Sequence, residues 1–154
     1  MRVNEALEFR VLNPDLETSL ADFFAVVDAS GTARQFHPHP FTADEARKIC
    51  RYRGKDLYYA VVAGRCVLGY GMLRGWDEGY EVPSLGVAFR PEARGRGLGR
   101  AFMTFLHAAA KQAGARRIRL KVYPDNEPAV TLYRSLGYRF EGPSGEQLVG
   151  FFDL

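Results

Sequence analysis

Arg94-Gly95-Arg96-Gly97-Leu98-Gly99 lies between a short apolar segment, residues 84–89, and a helical pattern. Apolar residues after this stretch recur every three or four positions, which is typical of an amphipathic helix: Leu98, Phe102, Phe105, Leu106, Ala109 and Ala113. A glycine-rich turn between a strand and a helix points free backbone N–H groups and the positive end of the helix dipole at one spot. The stretch therefore predicts an anion site, where glycine lets a phosphate approach the backbone.

Two common phosphate sites do not fit the spacing. A dinucleotide site requires G-x-G-x-x-G/A and an acidic residue about twenty positions later. Here Arg100 occupies the third small position, and the downstream strand, residues 116–122, contains no acid. A P-loop requires G-K-[ST], which the chain lacks at this turn. Both sites are excluded.

A third phosphate loop does fit, because Arg94, Gly97 and Gly99 form the pattern R-x-x-G-x-G. This pattern resembles the acyl-coenzyme A pyrophosphate loop of the GNAT superfamily of N-acyltransferases. The segment from Asn126 to Tyr138 is similar to that family's N-x-x-A-x-x-L-Y-x-x-x-G-[FY] motif. The two motifs stand in the family's order and spacing, and the resemblance covers roughly residues 84–142.

The resemblance implies acetyl-CoA as cosubstrate and assigns most of its contacts to two stretches. The main chain of Val87, Ala88 and Phe89 would hold the pantetheine arm, and one amide of this strand would bind the developing oxyanion. A β-bulge is expected in this strand, and Gly86 is compatible with it. The remaining cofactor contacts are expected at Arg94, Gly95, Arg96, Gly97, Leu98, Gly99, Arg100 and Asn126.

Tyr133 is the residue that the resemblance implies as general acid. A phenol with a pKa of about 10 is a suitable proton donor to a departing thiolate with a pKa of about 8.5. The alternative is a tyrosine that fills the core beside Leu132 and Leu136. Under either interpretation Asn126 is expected to cap the helix that carries Tyr133.

The general base and the acceptor contacts are less clearly marked. Glu81, just upstream of the predicted strand, is the first choice as base; the alternative is a solvated acidic loop shared with Asp77 and Glu78. His37, His39 and Trp76 are candidate acceptor contacts, although both histidines equally suit an ordinary loop. H-P-H-P lacks a visible third ligand, so no metal site is predicted. His107 lies opposite the apolar stripe of its helix and is predicted to face water.

Composition limits the class of protein. At 154 residues with 47% hydrophobic content, one domain over residues 1–154 is expected. The net charge of +3 is mild, and the basic strand Arg117, Arg119, Lys121 has no interleaved aromatic residues, so nucleic acid is not favoured. A solvated face or a contact with coenzyme phosphate is the preferred interpretation of this strand. No apolar run suggests a membrane span, and residues 1–5 lack a signal-peptide pattern. Two cysteines make no disulfide framework, which favours a reduced cytoplasm; a homodimer is left open.

The element pattern predicts the fold class: a mixed α/β sheet of about seven strands with four helices, in the order β-α-α-β-β-β-α-β-α-β-β, as in the GNAT family. Asn13-Pro14 predicts the start of the first helix. Thr42 and Glu45 predict a capping box at the start of the second helix, which is expected to run to about Arg53. Pro83 fits a strand end better than a central ladder position.

The function predicted from the resemblance is an N-acetyltransferase that moves an acetyl group from acetyl-CoA to a primary amine by direct attack in a ternary complex. A small-molecule amine or amino sugar is favoured over a protein, and the acidic loop with Trp76 and Tyr80 suits a cationic or sugar-like amine. The alternative is a coenzyme-A-binding sensor or interaction module that has lost turnover.

Overall fold

The computed structural model describes residues 5–154, which form seven strands and four α-helices in the predicted order. The elements are β1 Leu7–Val11, α1 Glu17–Ala29, α2 Ala43–Cys50, β2 Leu57–Ala63, β3 Cys66–Arg74, β4 Ser84–Phe89, α3 Leu98–Gln112, β5 Arg117–Val122, α4 Glu127–Leu136, β6 Arg139–Ser144 and β7 Gln147–Asp153. The predicted mixed α/β class is confirmed. Residues 1–4, on which the signal-peptide expectation rests, lie outside the described part.

One sheet runs through the described chain in the order β1-β2-β3-β4-β5-β7-β6. Every neighbouring pair is antiparallel except β4 and β5, which run parallel. The parallel pair has a single register match, Ser84 with Arg119, whereas β3 and β4 match over six residues. The two strands therefore separate immediately after Ser84, in the middle of the sheet.

Two helices cover each face of the sheet. The core between the sheet and α3 and α4 contains Phe102, Leu106 and Ile118, all fully buried. The core on the opposite face lies against α1 and α2 and contains Phe23, Phe24 and Tyr70. Residues alternate between the faces along each strand, so Ile118 points into the first core while its neighbours Arg117 and Arg119 remain part-exposed on the other side.

The helix boundaries follow the predicted caps with small differences. The Asn13 side chain accepts a hydrogen bond from the Asp15 amide at 2.9 Å, but the first turn, Pro14–Leu16, is a 3-10 turn and α1 begins only after it. Thr42 Oγ1 accepts a hydrogen bond from the Glu45 amide at 3.1 Å, so this cap is confirmed. Pro83 directly precedes β4, at the strand end where a missing N–H is tolerated.

Two expectations about the interior are wrong. The register between β3 and β4 is continuous from Arg74–Ser84 to Gly69–Phe89, so β4 contains no bulge; the divergence from β5 opens the strand instead. His107 does not face water. Its ring stacks on Phe152 at 4.3 Å, its Nε2 shares a hydrogen bond of 2.7 Å with the Tyr138 hydroxyl, and burial lowers its pKa.

Candidate active site

A cleft of about 650 Å³ opens where β4 and β5 separate. One wall is β4, another is β5 with the first turns of α4, and the segment between α1 and α2 contributes Phe36, His37 and Pro38. Predicted site residues that line it are His37, Val87, Ala88, Phe89, Arg94, Gly99, Asn126 and Tyr133. The structure thus gathers residues from both motifs around one space.

Hydrogen-bond alternation decides which β4 groups face this cleft. The Arg90 amide donates to the Leu68 carbonyl at 2.9 Å, and bonded pairs alternate along an antiparallel ladder. In that pattern Ala88 pairs with Tyr70, whereas the main-chain groups of Val87 and Phe89 point away from β3. Because β5 has already diverged, these two residues have no strand partner on that side within the described part of the chain. Their N–H and C=O groups are available to a bound chain.

The predicted phosphate loop ends at the start of α3. Gly95 and Gly97 have φ values of 74° and 76°, a region that costs other residues free energy. The first helical bond runs from the Ala101 amide to the Gly97 carbonyl at 3.2 Å. The preceding amides of Leu98, Gly99 and Arg100 have no acceptor within the helix, and no side chain caps it. These donors form a site for an anion.

The three arginines of the loop have different surroundings. Arg94 lines the cleft, and its Nη2 donates to Thr32 Oγ1 at 2.9 Å, which links the loop to the segment after α1. Arg96 donates to the Glu92 carbonyl at 3.1 Å. Arg100 donates to Ser135 Oγ at 2.6 Å on α4 and does not line the cleft. Among these side chains, Arg94 is best situated for a ligand in the cleft.

Tyr133 both lines the cleft and packs in the core, so the two interpretations of its role are compatible. Only 9% of its surface is exposed, and burial raises its pKa to about 12. Its ring contacts Tyr138 at a centroid distance of 5.6 Å, and no group among residues 5–154 hydrogen-bonds its hydroxyl. A phenol in this position keeps its proton at neutral pH and has no competing acceptor for it.

Asn126 occupies the N-cap position of α4 but makes no side-chain cap, contrary to the expectation. Its backbone has φ −81° and ψ 68°, outside the extended conformation of a usual N-cap residue. Pro128 stands in the first turn of the helix, and the Asn126 carbonyl still accepts the Val130 amide at 3.1 Å. Asn126 instead lines the cleft.

The two loop histidines lie in different places. His37 Nε2 shares a hydrogen bond of 2.8 Å with the hydroxyl of Tyr123, so it bridges from the segment before α2 to the end of β5. His39 lies outside the cleft: its Nδ1 is 2.8 Å from the Pro40 carbonyl and its Nε2 is 3.0 Å from the Tyr70 hydroxyl. Burial is the main cause of the lowered pKa of His39.

A second cleft, of about 590 Å³, adjoins the first and shares Met72, Ser84 and Arg119 with it. Its outer rim comes from the loop between β3 and β4, which Asp56 anchors: Asp56 Oδ1 accepts hydrogen bonds from the Gly75 and Trp76 amides at 3.0 and 2.9 Å. This second cleft opens beside the Ser84 end of β4.

The acidic loop residues divide between this cleft and the scaffold. Glu78 and Tyr80 line the second cleft. Asp77 Oδ1 accepts the Lys55 amide at 2.9 Å and so helps to hold the loop. Glu81 is exposed and lines neither cleft, while Trp76 packs against the core beside α3.

Comparison with known proteins decides the family. The profile of the Acetyltransferase (GNAT) family matches residues 22–138, more than half of the chain. The chain belongs to the GNAT acetyltransferase family. It is an acyl-CoA-dependent acetyltransferase, and the resemblance predicted from the two motifs is confirmed.

Individual GNAT relatives agree with this assignment. The chain is 30% identical over 134 residues to the thialysine N-epsilon-acetyltransferase of Bos taurus, over 70% of this chain and 78% of the bovine protein. Its structure matches the GNAT domain of S. lividans PAT with a TM-score of 0.84 at 17% identity, covering 96% of this chain and 90% of that one. It also matches yncA of Salmonella typhimurium, solved with its cofactor acetyl-CoA, with a TM-score of 0.75 at 17% identity, over 96% and 94% of the two chains.

The sequence identified only part of the lining of this GNAT cleft. Arg119 and Lys121, for which it left open a solvated face or a contact with coenzyme phosphate, line the cleft; Arg117, on the same face, instead pairs with Glu141 and Asp153. Arg74 lines the second cleft without any sequence signal. Within residues 5–154, His, Cys, Asp and Glu side chains nowhere gather in threes as metal ligands, and none of the helices is long and apolar enough to cross a membrane.

Proposed function

We propose that this protein transfers an acetyl group from acetyl-CoA to a primary amine by direct attack within a ternary complex. One observation carries the proposal: the unpaired main-chain groups of Val87 and Phe89 and the protonated hydroxyl of Tyr133 border the same cleft. That cleft adjoins a second opening suited to an acceptor.

The binding of acetyl-CoA follows from the donors along the cleft. The pyrophosphate would accept hydrogen bonds from the amides of Leu98, Gly99 and Arg100 at the start of α3, with Arg94 adding charge from the cleft wall. The pantetheine arm would extend along β4 and bond the free groups of Val87 and Phe89. Asn126, whose side chain caps nothing, would donate to the arm from the opposite wall.

The chemical step would use groups that border the cleft. The amine nitrogen attacks the thioester carbonyl, and an amide of β4 stabilises the negative charge that develops on the oxygen. The C–S bond then breaks, and Tyr133 gives its proton to the departing sulfur. A phenol whose pKa is raised to about 12 remains protonated until the thiolate forms.

A carboxylate of the loop before β4 would remove the proton from the attacking amine. Glu81 is the choice from sequence, but it borders neither cleft. Glu78, which is also exposed, borders the acceptor cleft, and its side chain has no hydrogen-bond partner among residues 5–154. The geometry therefore favours Glu78 over Glu81, acting directly or through water.

The setting of the enzyme is part of the same proposal. One continuous sheet with a core on each face supports a single domain over residues 1–154. Cys50 and Cys66 are both free thiols, which suits a reducing cytoplasm. The name of the bovine relative, an N-epsilon-acetyltransferase of thialysine, supports a small-molecule amine as acceptor.

A thiol-release assay tests the proposal. The protein is mixed with acetyl-CoA and a panel of amines, and the appearance of free coenzyme A thiol is followed against an amine-free control. We expect amine-dependent thiol release with matching N-acetyl product. Tight acetyl-CoA binding without turnover on any amine would instead favour a coenzyme-A-binding sensor.

A further inference from the structure

Arg74, Ser84 and Arg119 lie side by side in one transverse row of the sheet. Arg74 is the register partner of Ser84 across β3 and β4, and Ser84 is the register partner of Arg119 across β4 and β5. Residues directly opposite each other project to the same face. The side chains of Arg74 and Arg119 therefore leave the sheet on either side of Ser84, from backbones about 10 Å apart, at the boundary between the two clefts.

Neither arginine has an acidic partner among residues 5–154, although some other arginines of this chain do. Arg117 and Arg139 pair with carboxylates at 2.9 to 3.3 Å. Among residues 5–154 no carboxylate lies within 4.0 Å of Arg74 or Arg119. Arg74 makes only long contacts, 3.4 Å to the Pro38 carbonyl and 3.9 Å to the Met72 sulfur.

The hydrogen-bonding capacity of this pair is mostly unused. Arg119 donates once, to Ser84 Oγ at 3.3 Å, although a guanidinium carries five N–H donors. Both arginines are half-buried, so water screens their mutual repulsion less than on an open surface. An anion between them would offset that repulsion and accept forked hydrogen bonds from both sides.

The rest of the second cleft is suited to a small molecule with two charges. Phe151, the register partner of Arg119 on β7, and Met72 provide apolar surface. Glu78 stands on the rim as the acidic side chain among the lining residues. The cleft thus offers two cations at its inner wall and one carboxylate at its rim.

We propose that the acceptor is an amine that also carries a carboxylate, and that Arg74 and Arg119 bind this carboxylate above Ser84. The inference rests on the proposed function, since it names the substrate class for the same site. Glu78 is then free to take a proton from the amine. A carboxylate-bearing amine replaces the purely cationic or sugar-like amine that the acidic loop suggested from sequence.

Matched acceptors test the inference. Each of β-alanine, γ-aminobutyrate and L-lysine is compared with its own carboxamide, which keeps the amine and the size but removes the negative charge. We expect kcat/KM to be at least about tenfold higher for the acid than for the amide in at least one pair. A tenfold ratio requires only a modest difference in binding free energy between the two acceptors. Arg74→Gln and Arg119→Gln should each reduce that ratio toward one.

Two further variants control for general effects. Arg53→Gln removes one positive charge at an exposed residue outside both clefts and should keep the ratio. Arg74→Lys keeps the charge without the planar fork and should retain part of the preference. Because the ratio compares two acceptors on one protein, a loss of folded protein or of acetyl-CoA affinity cancels.

The outcomes separate this inference from the proposed function. If amines are acetylated but amides serve as well as acids, or if both glutamine variants keep the preference, the inference is wrong and the acetyltransferase proposal stands. If no amine is acetylated, calorimetry with the coenzyme A complex decides: acid-selective binding that Arg74→Gln abolishes supports the anion site, and equal binding of acid and amide overturns it.

Discussion

Ser84 and Arg119 form the single register pair between the parallel strands β4 and β5. Beyond this pair the two strands diverge, so a cleft opens where a ladder of hydrogen bonds would otherwise join them. The Arg119 amide donates to the Pro83 carbonyl at 3.0 Å, so β4 and β5 are still joined by a hydrogen bond at the residue before Ser84. One pair thus determines both where the first cleft, proposed for acetyl-CoA, begins and where the second cleft, proposed for the acceptor, adjoins it.

Tyr133→Phe removes the proposed general acid while keeping the buried ring. We expect kcat to fall about 100-fold, within the usual range for general acid catalysis, and the affinity for acetyl-CoA to stay within about twofold, since the aromatic packing is kept. Steady-state kinetics and calorimetry measure the two quantities. An unchanged kcat at saturating substrates would remove Tyr133 as the acid.

The raised pKa of Tyr133 also predicts how stability depends on pH. The folded-state pKa is about 12, above the unfolded value of about 10, so the folded state holds the proton more tightly. Below pH 10 both states are protonated and this stabilisation is complete; it is lost as pH rises from 10 to 12. Urea unfolding at pH 9, 10 and 11 should show a smaller decline for Tyr133→Phe than for the native protein. Parallel declines would contradict the assignment.

Gly97→Ala tests the phosphate loop, with Gly142→Ala as its matched control. Both glycines have positive φ, 76° and 97°, and an added Cβ would have open space at each. Each substitution should therefore lower the free energy of unfolding by about 1–2 kcal/mol through backbone strain. Only Gly97→Ala should raise the Kd of acetyl-CoA, because Gly142 lies in β6, away from the cleft. Equal effects on Kd would argue against the loop as the phosphate site.

The loop arginines should differ in their effect on the coenzyme. Arg94 lines the cleft, whereas Arg100 bonds Ser135 outside it. Arg94→Gln is expected to raise the Kd of acetyl-CoA about tenfold, the worth of one charge-assisted hydrogen bond, and Arg100→Gln less than threefold. Calorimetry at two salt concentrations measures both; a larger loss from Arg100→Gln would reverse the assignment.

A hydrogen bond between His37 and Tyr123 joins two segments that are 86 residues apart in the chain. Both segments border the cleft. Removing their hydrogen bond should raise the Kd of acetyl-CoA about fivefold, because it loosens one cleft wall. His37→Ala and Tyr123→Phe should have similar effects, and the double variant should add little to either. Fully additive effects would show that the two side chains act independently.

Local sequence patterns were sufficient for much of the fold and part of the site. Glycine at positions 95, 97 and 137 marks backbone with positive φ, so the loop and the end of α4 could be recognised without tertiary information. The order of strands and helices followed from hydrophobic periodicity. These features depend on neighbours in the chain.

Features that depend on distant contacts could not be read in this way. The main-chain groups of Val87 and Phe89 point away from β3 whereas those of Ala88 do not, and only the register with β3 reveals this difference. Asn126 resembles a helix cap in sequence, but its backbone conformation is not that of a usual N-cap residue. The sequence places His107 on the polar face of its helix, but in the folded protein Phe152 of β7 packs against its ring. The row of Arg74, Ser84 and Arg119 joins three strands and has no local signal.

Titration of the 15N-labelled protein with acetyl-CoA, followed through its backbone amide signals, tests the central claim most directly. The account predicts saturable shifts that are largest at the free amides of β4 and of the start of α3: Val87, Phe89, Leu98, Gly99 and Arg100. Signals of β1 and of the outer strand β6 should change little. Shifts centred elsewhere in the sheet, or no saturable change at all, would contradict acetyl-CoA binding in the cleft between β4 and β5.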